Sequence, residues 1–260
     1  MITLLTDFGT ADYFVAALKG VIFSLNPQAQ IIDLTHEVPA QDVEAGAFTL
    51  GACYHTFPAG TIHLAVVDPG VGSDRRPIVV AAGGQYFVGP DDGLFSYVYL
   101  REAATRVFHA ARPEFFRHPI SPTFHGRDVF APLAARLSIG VLPEALGVPI
   151  DDYRRFEIPR PVRFGSSLKG QVIYVDRFGN CLTNLTANDL NLAWPDSTPC
   201  LTIGGAEVQQ LGTHFAQAAA GGLFAYLGSA GYWEVALWRG SAAEHLQARR
   251  GTEVILSFAG

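Results

Sequence analysis

Residues 61–76 of the chain read Thr61-Ile62-His63-Leu64-Ala65-Val66-Val67-Asp68-Pro69-Gly70-Val71-Gly72-Ser73-Asp74-Arg75-Arg76. The run up to Val67 is apolar and rich in β-branched residues, which is typical of a buried strand. Pro69 and the glycines after it predict a turn, because they fix φ or permit positive φ. In an open α/β sheet, ligands bind at the carboxyl ends of the strands, so Asp68 and the two arginines are expected at a crevice. Taken alone, a structural Asp–Arg pair explains the same turn.

Around this stretch, strands and helices alternate through the first half of the chain. Apolar periodicity and turn residues predict strands at 2–6, 31–34 and 62–67, helices at 14–25, 42–54, 94–99 and 124–137, and a hairpin of 77–82 with 85–89. This alternation predicts an N-terminal α/β domain with a mostly parallel sheet flanked by helices.

The character of the sequence changes near residue 150. Four prolines and the charged run 151–157 are typical of a surface linker, which predicts domains at 1–158 and 159–260. Beyond the linker, glycine-punctuated apolar segments predict strands at 169–176, 182–185, 199–203, 223–227, 233–237 and 252–258, with one short helix at 186–192. We expect a smaller, antiparallel all-β C-terminal domain.

Composition excludes several partners. The 260 residues are 49% hydrophobic and 16% charged, with a net charge of −6, and Lys and Arg never cluster beyond pairs. Nucleic acid and an anionic membrane are therefore not expected as partners. The N-terminus lacks a basic leader region and no apolar run reaches the length of a membrane span, so we expect a cytoplasmic protein.

Common catalytic and metal-binding motifs do not fit. None of the eight histidines lies in H-E-x-x-H, and the three cysteines have no C-x-x-C spacing, so no metal site is predicted. Gly70-Val71-Gly72 lacks the third glycine of a dinucleotide fingerprint. Ser229 has flanking glycines but does not lie in G-x-S-x-G, which argues against a nucleophile elbow.

Three clusters of polar residues remain as candidates. The first is the 68–76 turn, and the second places His125 beside a glycine at a predicted helix start. In the third, Asp176, Phe178 and Asn180 surround a glycine between two strands. This third set supplies a carboxylate for an amine, a ring for packing and an amide for a heteroaromatic edge. Read singly, these clusters are also compatible with a helix cap and an ordinary hairpin.

Taken together, the clusters resemble one family, the adenosine-forming S-adenosylmethionine hydrolases (S-adenosylmethionine hydroxide adenosyltransferases), relatives of the fluorinase and chlorinase enzymes. The matching segments occur in the family's order and span nearly the whole chain: Thr6-Asp7-Phe8-Gly9 with Asp12, Ile32 to His36, Val67 to Gly72 with Arg75-Arg76, Pro90 to Leu94, Thr123 to Asp128, Asp176 to Asn180, and Gly228 to Tyr232.

The resemblance implies an activity and a set of site residues. The activity is hydrolysis of S-adenosyl-L-methionine to adenosine and L-methionine, by attack of water or hydroxide at C5′ of the ribose and without a cofactor. The catalytic Asp–Arg–His set falls on Asp68, Arg75 and His125. The resemblance implies that Asp68 also contacts substrate and that Asp7 binds the ribose hydroxyls. Near adenine it implies Asn180, Ser229, Glu234 and Leu237, and at the methionine end Asp176 and Ser229. Phe178 would pack against the ligand, and Tyr232, in the last matching segment, is a further implied contact.

The resemblance also implies a homotrimer with active sites between subunits. This chain departs from the fluorinase pattern, which has a tyrosine in place of Asp68 and no imidazole at His125, so halide chemistry is disfavoured. Trp238-Arg239 replaces an expected small polar pair. The alternatives are a protein that binds S-adenosylmethionine or adenosine without turnover, a halogenase, and a metal-dependent phosphoesterase built on Asp7, Asp33 and Asp68.

Overall fold

The computed structural model describes residues 1–189, 199–208, 210–212 and 222–258 of a chain that divides into two compact units, Met1–Glu157 and Ile158–Gly260. The first unit holds strands β1 (Ile2–Thr6), β2 (Ile31–Thr35), β3 (Ile62–Val66), β4 (Pro77–Ala82), β5 (Gln85–Pro90), β6 (Thr105–His109) and β7 (Val148–Ile150). Its helices are α1 (Phe14–Leu25), α2 (Val43–Cys53), α3 (Ser96–Arg101), α4 (Ala131–Ser138) and α5 (Pro143–Leu146).

The seven strands form one sheet in the order β2-β1-β3-β5-β4-β6-β7. The pairs β1–β2, β1–β3 and β3–β5 are parallel, whereas β4–β5, β4–β6 and β6–β7 are antiparallel. The sheet is therefore mixed, and the prediction of a mostly parallel sheet is not confirmed, since only three of its six strand pairs are parallel. The hairpin is the reason: β5 pairs with β3, and β4, β6 and β7 lie beyond β5 with strand directions that alternate.

The parallel half of the sheet carries the main core of this unit. Strands β1 and β3 are buried along their whole length. Helix α1 turns Leu18, Val21 and Ile22 inward, and α1 and α4 pack against each other. The predicted helix at 124–137 is present in two parts, because a single π-helical turn, Gly126–Phe130, precedes α4. Such turns are uncommon and occur frequently at functional sites.

The second unit is built on a sheet of nine strands. They are β8 (Val162–Phe164), β9 (Ser167–Val175), β10 (Cys181–Thr186), β11 (Pro199–Ile203), β12 (Ala206–Val208), β13 (Gln210–Gly212), β14 (Leu223–Leu227), β15 (Tyr232–Leu237) and β16 (Glu253–Phe258). One path runs β12-β11-β16-β9-β10-β15-β14-β13, and β8 pairs with β9.

The all-antiparallel prediction for the second unit needs two corrections. Strands β13 and β14 pair in parallel, and a short helix, α6 (Ala242–Leu246), follows β15. Of the helix predicted at 186–192, residues 187–189 are helical and the rest after them lies outside the described residues. Among the described residues, none of the helices combines the length and the apolar character that crossing a membrane requires.

A histidine in the first core makes stability depend on pH. His63 of β3 is fully buried, its Nδ1 lies 2.7 Å from Oγ1 of Thr3, and its ring stacks on Phe87. Burial lowers the pKa of His63 from 6.5 to about 4, against a weaker opposing effect of its hydrogen bond with Gln85. The unfolded chain therefore takes up this proton at a higher pH than the folded chain.

We expect the free energy of unfolding to fall as the pH drops from about 6.5 to about 4, by up to about 3 kcal/mol from this group. Urea unfolding of the wild type and of His63→Gln at both ends of that range checks this. The variant has nothing to protonate at this position and should lose less stability on acidification. An equal loss in both proteins would assign the acid sensitivity to other groups.

Candidate active site

Asp68 and Arg75 lie at the two ends of the short loop that joins β3 to β4. The Nε of Arg75 donates to Oδ1 of Asp68 over 2.8 Å, and its Nη2 also contacts Oδ2. The two side chains are only 4% and 5% exposed. They form a buried, bidentate ion pair, an arrangement that fixes the orientation of both planar groups. The structure thus brings together two of the three residues that were predicted to be catalytic.

The loop between them is held by its own backbone. Ser73 N donates to the carbonyl of Gly70 over 3.0 Å, which closes a tight turn. Gly72 has φ of +79°, and a Cβ there would lie 2.5 Å from the carbonyl oxygen of Pro122. Only glycine fits both conditions. The loop can therefore touch the segment that carries His125.

His125 completes the predicted set. Its Nδ1 lies 2.8 Å from Nη2 of Arg75. Because a guanidinium only donates, Nδ1 is the acceptor and the neutral ring carries its proton on Nε2. Burial, and then the positive charge of Arg75, lowers the pKa of His125, which favours this neutral form. The guanidinium of Arg75 also lies 5.0 Å over the ring of Phe130, so an aromatic side chain covers its other side.

Asp128 anchors the segment around His125. Its carboxylate is fully buried and accepts from Nε of Arg127 over 2.7 Å, from Nη1 of Arg117 over 3.1 Å and from the backbone N–H of Ser121 over 2.9 Å. Burial by itself raises the pKa of Asp128, but the hydrogen bonds from Arg127, Ser121 and Arg117 outweigh it and lower the pKa overall. Asp128 thus fixes both the loop before His125 and the helical turn after it.

A cavity of about 360 Å³ opens on this set. Asp68 and His125 line it, and Arg75, which is not among the lining residues, is bonded to both. The other lining residues come from the ends of β1 and β3, from loops near them, from the start of α1 and from the π-helical turn: Asp7, Phe8, Phe14, Ala40, Gln41, Val66, Pro69, Val71, Thr123, Phe124 and Gly126. A carboxylate pocket with apolar walls suits a ligand that has both polar groups and a flat or aliphatic body.

Asp7 faces the same cavity, as the sequence predicted for a ligand contact. Its Oδ2 accepts from the backbone N–H of Gln41 over 2.8 Å. Gln41 has φ of +64°, a left-handed conformation that is uncommon for a residue with a side chain. Gln41 was missed in the sequence, because nothing local to residues 39–42 signals contact with a strand end so far away in the chain.

The apolar wall of this cavity is aromatic. Phe8, Phe14 and Phe124 meet edge to face, with centroid separations of 5.3–5.9 Å, and Tyr13 stands beside them with 64% of its surface exposed. Aromatic edges and faces of this kind pack well against a planar or aliphatic ligand group. The sequence contained the rings, but only the packing of α1 against residues 124–126 gathers them.

The second unit contains a separate cavity of about 660 Å³, lined by Asp176, Phe178, Asn180, Tyr226, Leu237, Arg239 and Gly240. Four of these residues were predicted to contact substrate. Asp176 accepts from the backbone N–H groups of Phe178 and Asn180 and from Nδ2 of Asn180, all within 2.9 Å. Phe178 as a whole residue is 77% exposed. The site is preorganised around a carboxylate, with an exposed ring beside it.

Glu234 lies behind this cavity and is largely buried. It accepts a hydrogen bond of 2.5 Å from the hydroxyl of Tyr226, its cross-strand partner on β14. Burial raises the pKa of Glu234, with a smaller contribution from the negative charge of Asp176 and against the effect of the tyrosine hydroxyl. A Cβ at Gly228 would fall 1.8 Å from Oε1 of Glu234, so this turn requires glycine.

Ser229 and Tyr232 lie in and just after the turn between β14 and β15. Ser229 is exposed, and neither residue is among those that line the second cavity within the described part of the chain. Arg239, which was noted only as a departure, does line it, with φ of +54° and its guanidinium 5.7 Å over the ring of Trp238. The cavity therefore has a cation that the family resemblance did not predict.

The acidic strand ends of the phosphoesterase alternative are not assembled into one site. Asp33 pairs with Nζ of Lys19 over 2.6 Å and lies 3.2 Å from Nε2 of His36, and it does not line the cavity that holds Asp7 and Asp68. Over the described ranges, no group of three or more His, Cys, Asp or Glu side chains is placed to hold a metal ion. The absence of a metal in the reaction stays a prediction.

Comparison with known proteins places the chain in a family. Residues 2–147 match the SAM hydroxide adenosyltransferase N-terminal domain, and residues 170–255 match the C-terminal domain of the same family. The chain is a SAM hydroxide adenosyltransferase family member. The predicted family resemblance is confirmed.

Individual proteins that are similar to this family member are consistent with the family assignment. A protein of Thermus thermophilus named (R)-S-adenosyl-L-methionine hydrolase is 40% identical over 97% of each chain. A fluorinase of Actinoplanes sp. is 26% identical over 74% of each. Among solved structures, an uncharacterized conserved protein of Thermotoga maritima superposes with a TM-score of 0.93 at 34% identity, covering 99% of this chain and 100% of that one.

Proposed function

We propose that this protein hydrolyses S-adenosyl-L-methionine to adenosine and L-methionine, by attack of water or hydroxide at C5′ of the ribose. One observation carries the proposal. In this SAM hydroxide adenosyltransferase family member, Asp68 and His125 line a cavity, and both are bonded to the guanidinium of the buried Arg75. Relatives at 37–41% identity that are named as hydrolases of this substrate support the same conclusion.

The chemistry asks little of the enzyme at sulfur. The sulfonium is already a good leaving group, so neither an acid nor a metal is needed there, and we propose a reaction without a cofactor. The difficulty is water, which is a weak nucleophile and must lie opposite the C5′–S bond. Correct placement of reacting groups lowers a barrier by roughly 7–11 kcal/mol at best. The fixed polar groups around the cavity are suited to this task.

Asp68 is the acceptor for the water proton in this proposal. Its carboxylate cannot rotate, because both oxygens contact Arg75. The Nε2–H of neutral His125 is free to donate toward the water oxygen, since Nδ1 is occupied by Arg75. The positive charge of Arg75 stabilises hydroxide as it develops, which is electrostatic preorganisation and requires no covalent intermediate.

The remaining predicted contacts divide between the two cavities. We propose that Asp7, fixed by the Gln41 N–H, accepts from the ribose hydroxyls, and that Asn180 offers its amide oxygen to the adenine edge. Asp176 is proposed for the methionine amine, with Phe178 packing against the ligand. Ser229, Tyr232, Glu234 and Leu237 stay predicted contacts.

The homotrimer with active sites between subunits stays a proposal from the family resemblance, and the cytoplasmic location stays a prediction. Light scattering coupled to gel filtration measures the assembly: a trimer is expected, and a monomer that is fully active would contradict it. The location requires a separate fractionation experiment.

The decisive experiment incubates the protein with S-adenosylmethionine in buffer alone, with chloride and with fluoride, and follows products by chromatography. We expect adenosine and methionine in equal amounts, at the same rate in all three and in the presence of a chelator. A halogenated nucleoside would indicate a halogenase, and bound but unchanged substrate would indicate a binding protein. Loss of activity in chelator would contradict the metal-free mechanism.

A further inference from the structure

Asp92 lies next to the Asp68–Arg75 pair and has no part in the mechanism described so far. Strands β3 and β5 pair in parallel with Leu64 opposite Val88. Continued past the strand ends, the same register places Asp92 opposite Asp68. Adjacent strands are about 4.8 Å apart, so this register sets the two residues side by side at one edge of the sheet, and the charge of Asp68 acts on Asp92.

The antiparallel partner strand leads to the same placement. The ladder of β4 and β5 extends beyond both strands, where the N–H of Asp91 donates to the carbonyl of Arg76 over 2.9 Å. The next pair in this ladder is Arg75 with Asp92. Two independent registers therefore place Asp92 beside both members of the buried ion pair.

The carboxyl group of Asp92 is only half satisfied. Its Oδ1 accepts from the backbone N–H of Leu94 over 3.0 Å, whereas its Oδ2 is buried without a hydrogen-bond partner. A buried carboxylate with one free oxygen is costly, and protonation of that oxygen lowers the cost because it removes the buried charge. The neighbouring Asp91 is different, because it is fully engaged by Arg76 and by the backbone N–H of Arg154.

The titratable groups near Asp92 come from four elements. Asp68 follows β3, Arg75 precedes β4 and Asp91 follows β5, while the neutral Tyr99 of α3, whose hydroxyl is buried without a partner, packs against Tyr153 with its ring tilted by 47°. Burial raises the pKa of Asp92 to about 7, the negative charges of Asp68 and Asp91 add to this, and the Leu94 N–H and Arg75 oppose it.

We propose that Asp92 is a positioning residue for the hydrolysis, which in its ionised form strengthens Asp68 as a proton acceptor and in its protonated form leaves Asp68 a weaker one. The inference rests on the proposed function. In that step the water oxygen bonds to C5′, the C5′–S electron pair leaves on sulfur, and the water proton passes to Asp68. A second negative charge beside Asp68 favours this proton transfer, because like charges raise the proton affinity of a carboxylate.

The pH profile of kcat separates this role from a structural one. In the wild type kcat should rise through about pH 7 as Asp92 ionises, in addition to an acid limb from His125. Asp92→Asn imitates the neutral acid, so its kcat should lack the upper rise. We expect its kcat to be about tenfold below that of the wild type at about pH 8.5 and equal to it below about pH 6. Asp92→Ser is a second variant in case the amide of Asp92→Asn disturbs folding. It keeps an acceptor for the N–H of Leu94, and its kcat should also lack the upper rise.

Asp152→Asn is the matched control. It removes an exposed carboxylate that pairs with Arg76, outside the catalytic pair, and should leave the profile of the wild type. A reduction of the same size at every pH in both Asp92 variants would show a merely structural role and overturn the proposal. An unchanged profile would overturn it too.

Infrared difference spectroscopy tests the ionisation without any turnover. The carbonyl stretch of a protonated carboxylic acid should be present in the wild type at about pH 6, disappear by about pH 8 and be missing from Asp92→Asn. Absence of a titrating band overturns the role of Asp92 even in an active enzyme. A protein with the band but no hydrolysis of S-adenosylmethionine overturns the proposed function and, with it, this role.

Discussion

Asp68→Ala should lower kcat for S-adenosylmethionine hydrolysis by at least about a thousandfold, while adenosine binding remains measurable. General base catalysis contributes about 10²–10⁴-fold, and the variant also loses the group that orients the water. Arg75 would then be buried without its counter-charge, so the loop should loosen and misplace His125 as well. Single-turnover kinetics, with adenosine affinity measured by calorimetry, separate the loss of chemistry from the loss of binding.

Asp74→Ala is the matched control for this experiment. Asp74 lies in the same loop and carries the same charge, but it is exposed. Its replacement should leave kcat within about twofold, as is usual for surface positions. Turnover in Asp68→Ala close to that of the control would remove Asp68 from the mechanism, whatever the geometry around it.

Asp128→Ala should lower the free energy of unfolding by about 1–3 kcal/mol, because it leaves three donors around a fully buried carboxylate site without their acceptor, two of them arginines that are partly exposed to water. Arg127, Arg117 and the backbone N–H of Ser121 all lose their partner at once. We also expect kcat to fall, since the segment that presents His125 is held by these bonds. Urea unfolding at neutral pH measures the first effect and the hydrolysis assay the second.

The effect of Asp128 should depend on pH in a defined direction. Its pKa is lowered below the usual 3.8, so its contribution is present above that value and is lost as the pH falls further. The difference in the free energy of unfolding between the wild type and Asp128→Ala should therefore become smaller in strong acid. Asp152→Ala removes an exposed partner of Arg76 and should change stability little. A neutral-pH loss no larger than that of the control would mean that the buried network contributes little.

The sequence predicted the elements with strong periodicity and missed those without it. Helix α1 and strands β1 and β3 have long apolar patterns, and their predicted bounds agree with the structure to within a residue. Strand β6 has only Val107 and Phe108 buried, and β7 contains Pro149 inside a region that resembles a linker. Short strands with few buried side chains take their stability from strand pairing, which the local sequence does not encode.

The candidate site was predictable where a chemical motif is continuous in sequence. Asp68, Arg75 and His125 stand in short, recognisable segments, and the structure brings them together. Gln41 had no such signal, since its contribution depends on a left-handed backbone and a distant strand end. Tyr226 could have been found, because pairing the two predicted strands about the 228–231 turn places it opposite Glu234.

Asp92 is a third kind of case. It lies in Pro90 to Leu94, one of the segments that match the family. Its proposed role depends on a buried oxygen that lacks a hydrogen-bond partner, and a sequence does not predict the burial of single atoms. Only the combined registers of β3, β4 and β5 reveal which charges it faces.

The close approach of Gly72 to Pro122 has a consequence for how this family member can evolve. The 68–75 loop is trapped between its own turn and a backbone carbonyl, with no room for even one added carbon atom. Variation should therefore accumulate as substitutions at exposed positions such as Asp74, and not as changes in length. For protein engineering, the number of residues between Asp68 and Arg75 should be kept fixed, and substitutions in the loop should begin at the exposed Asp74.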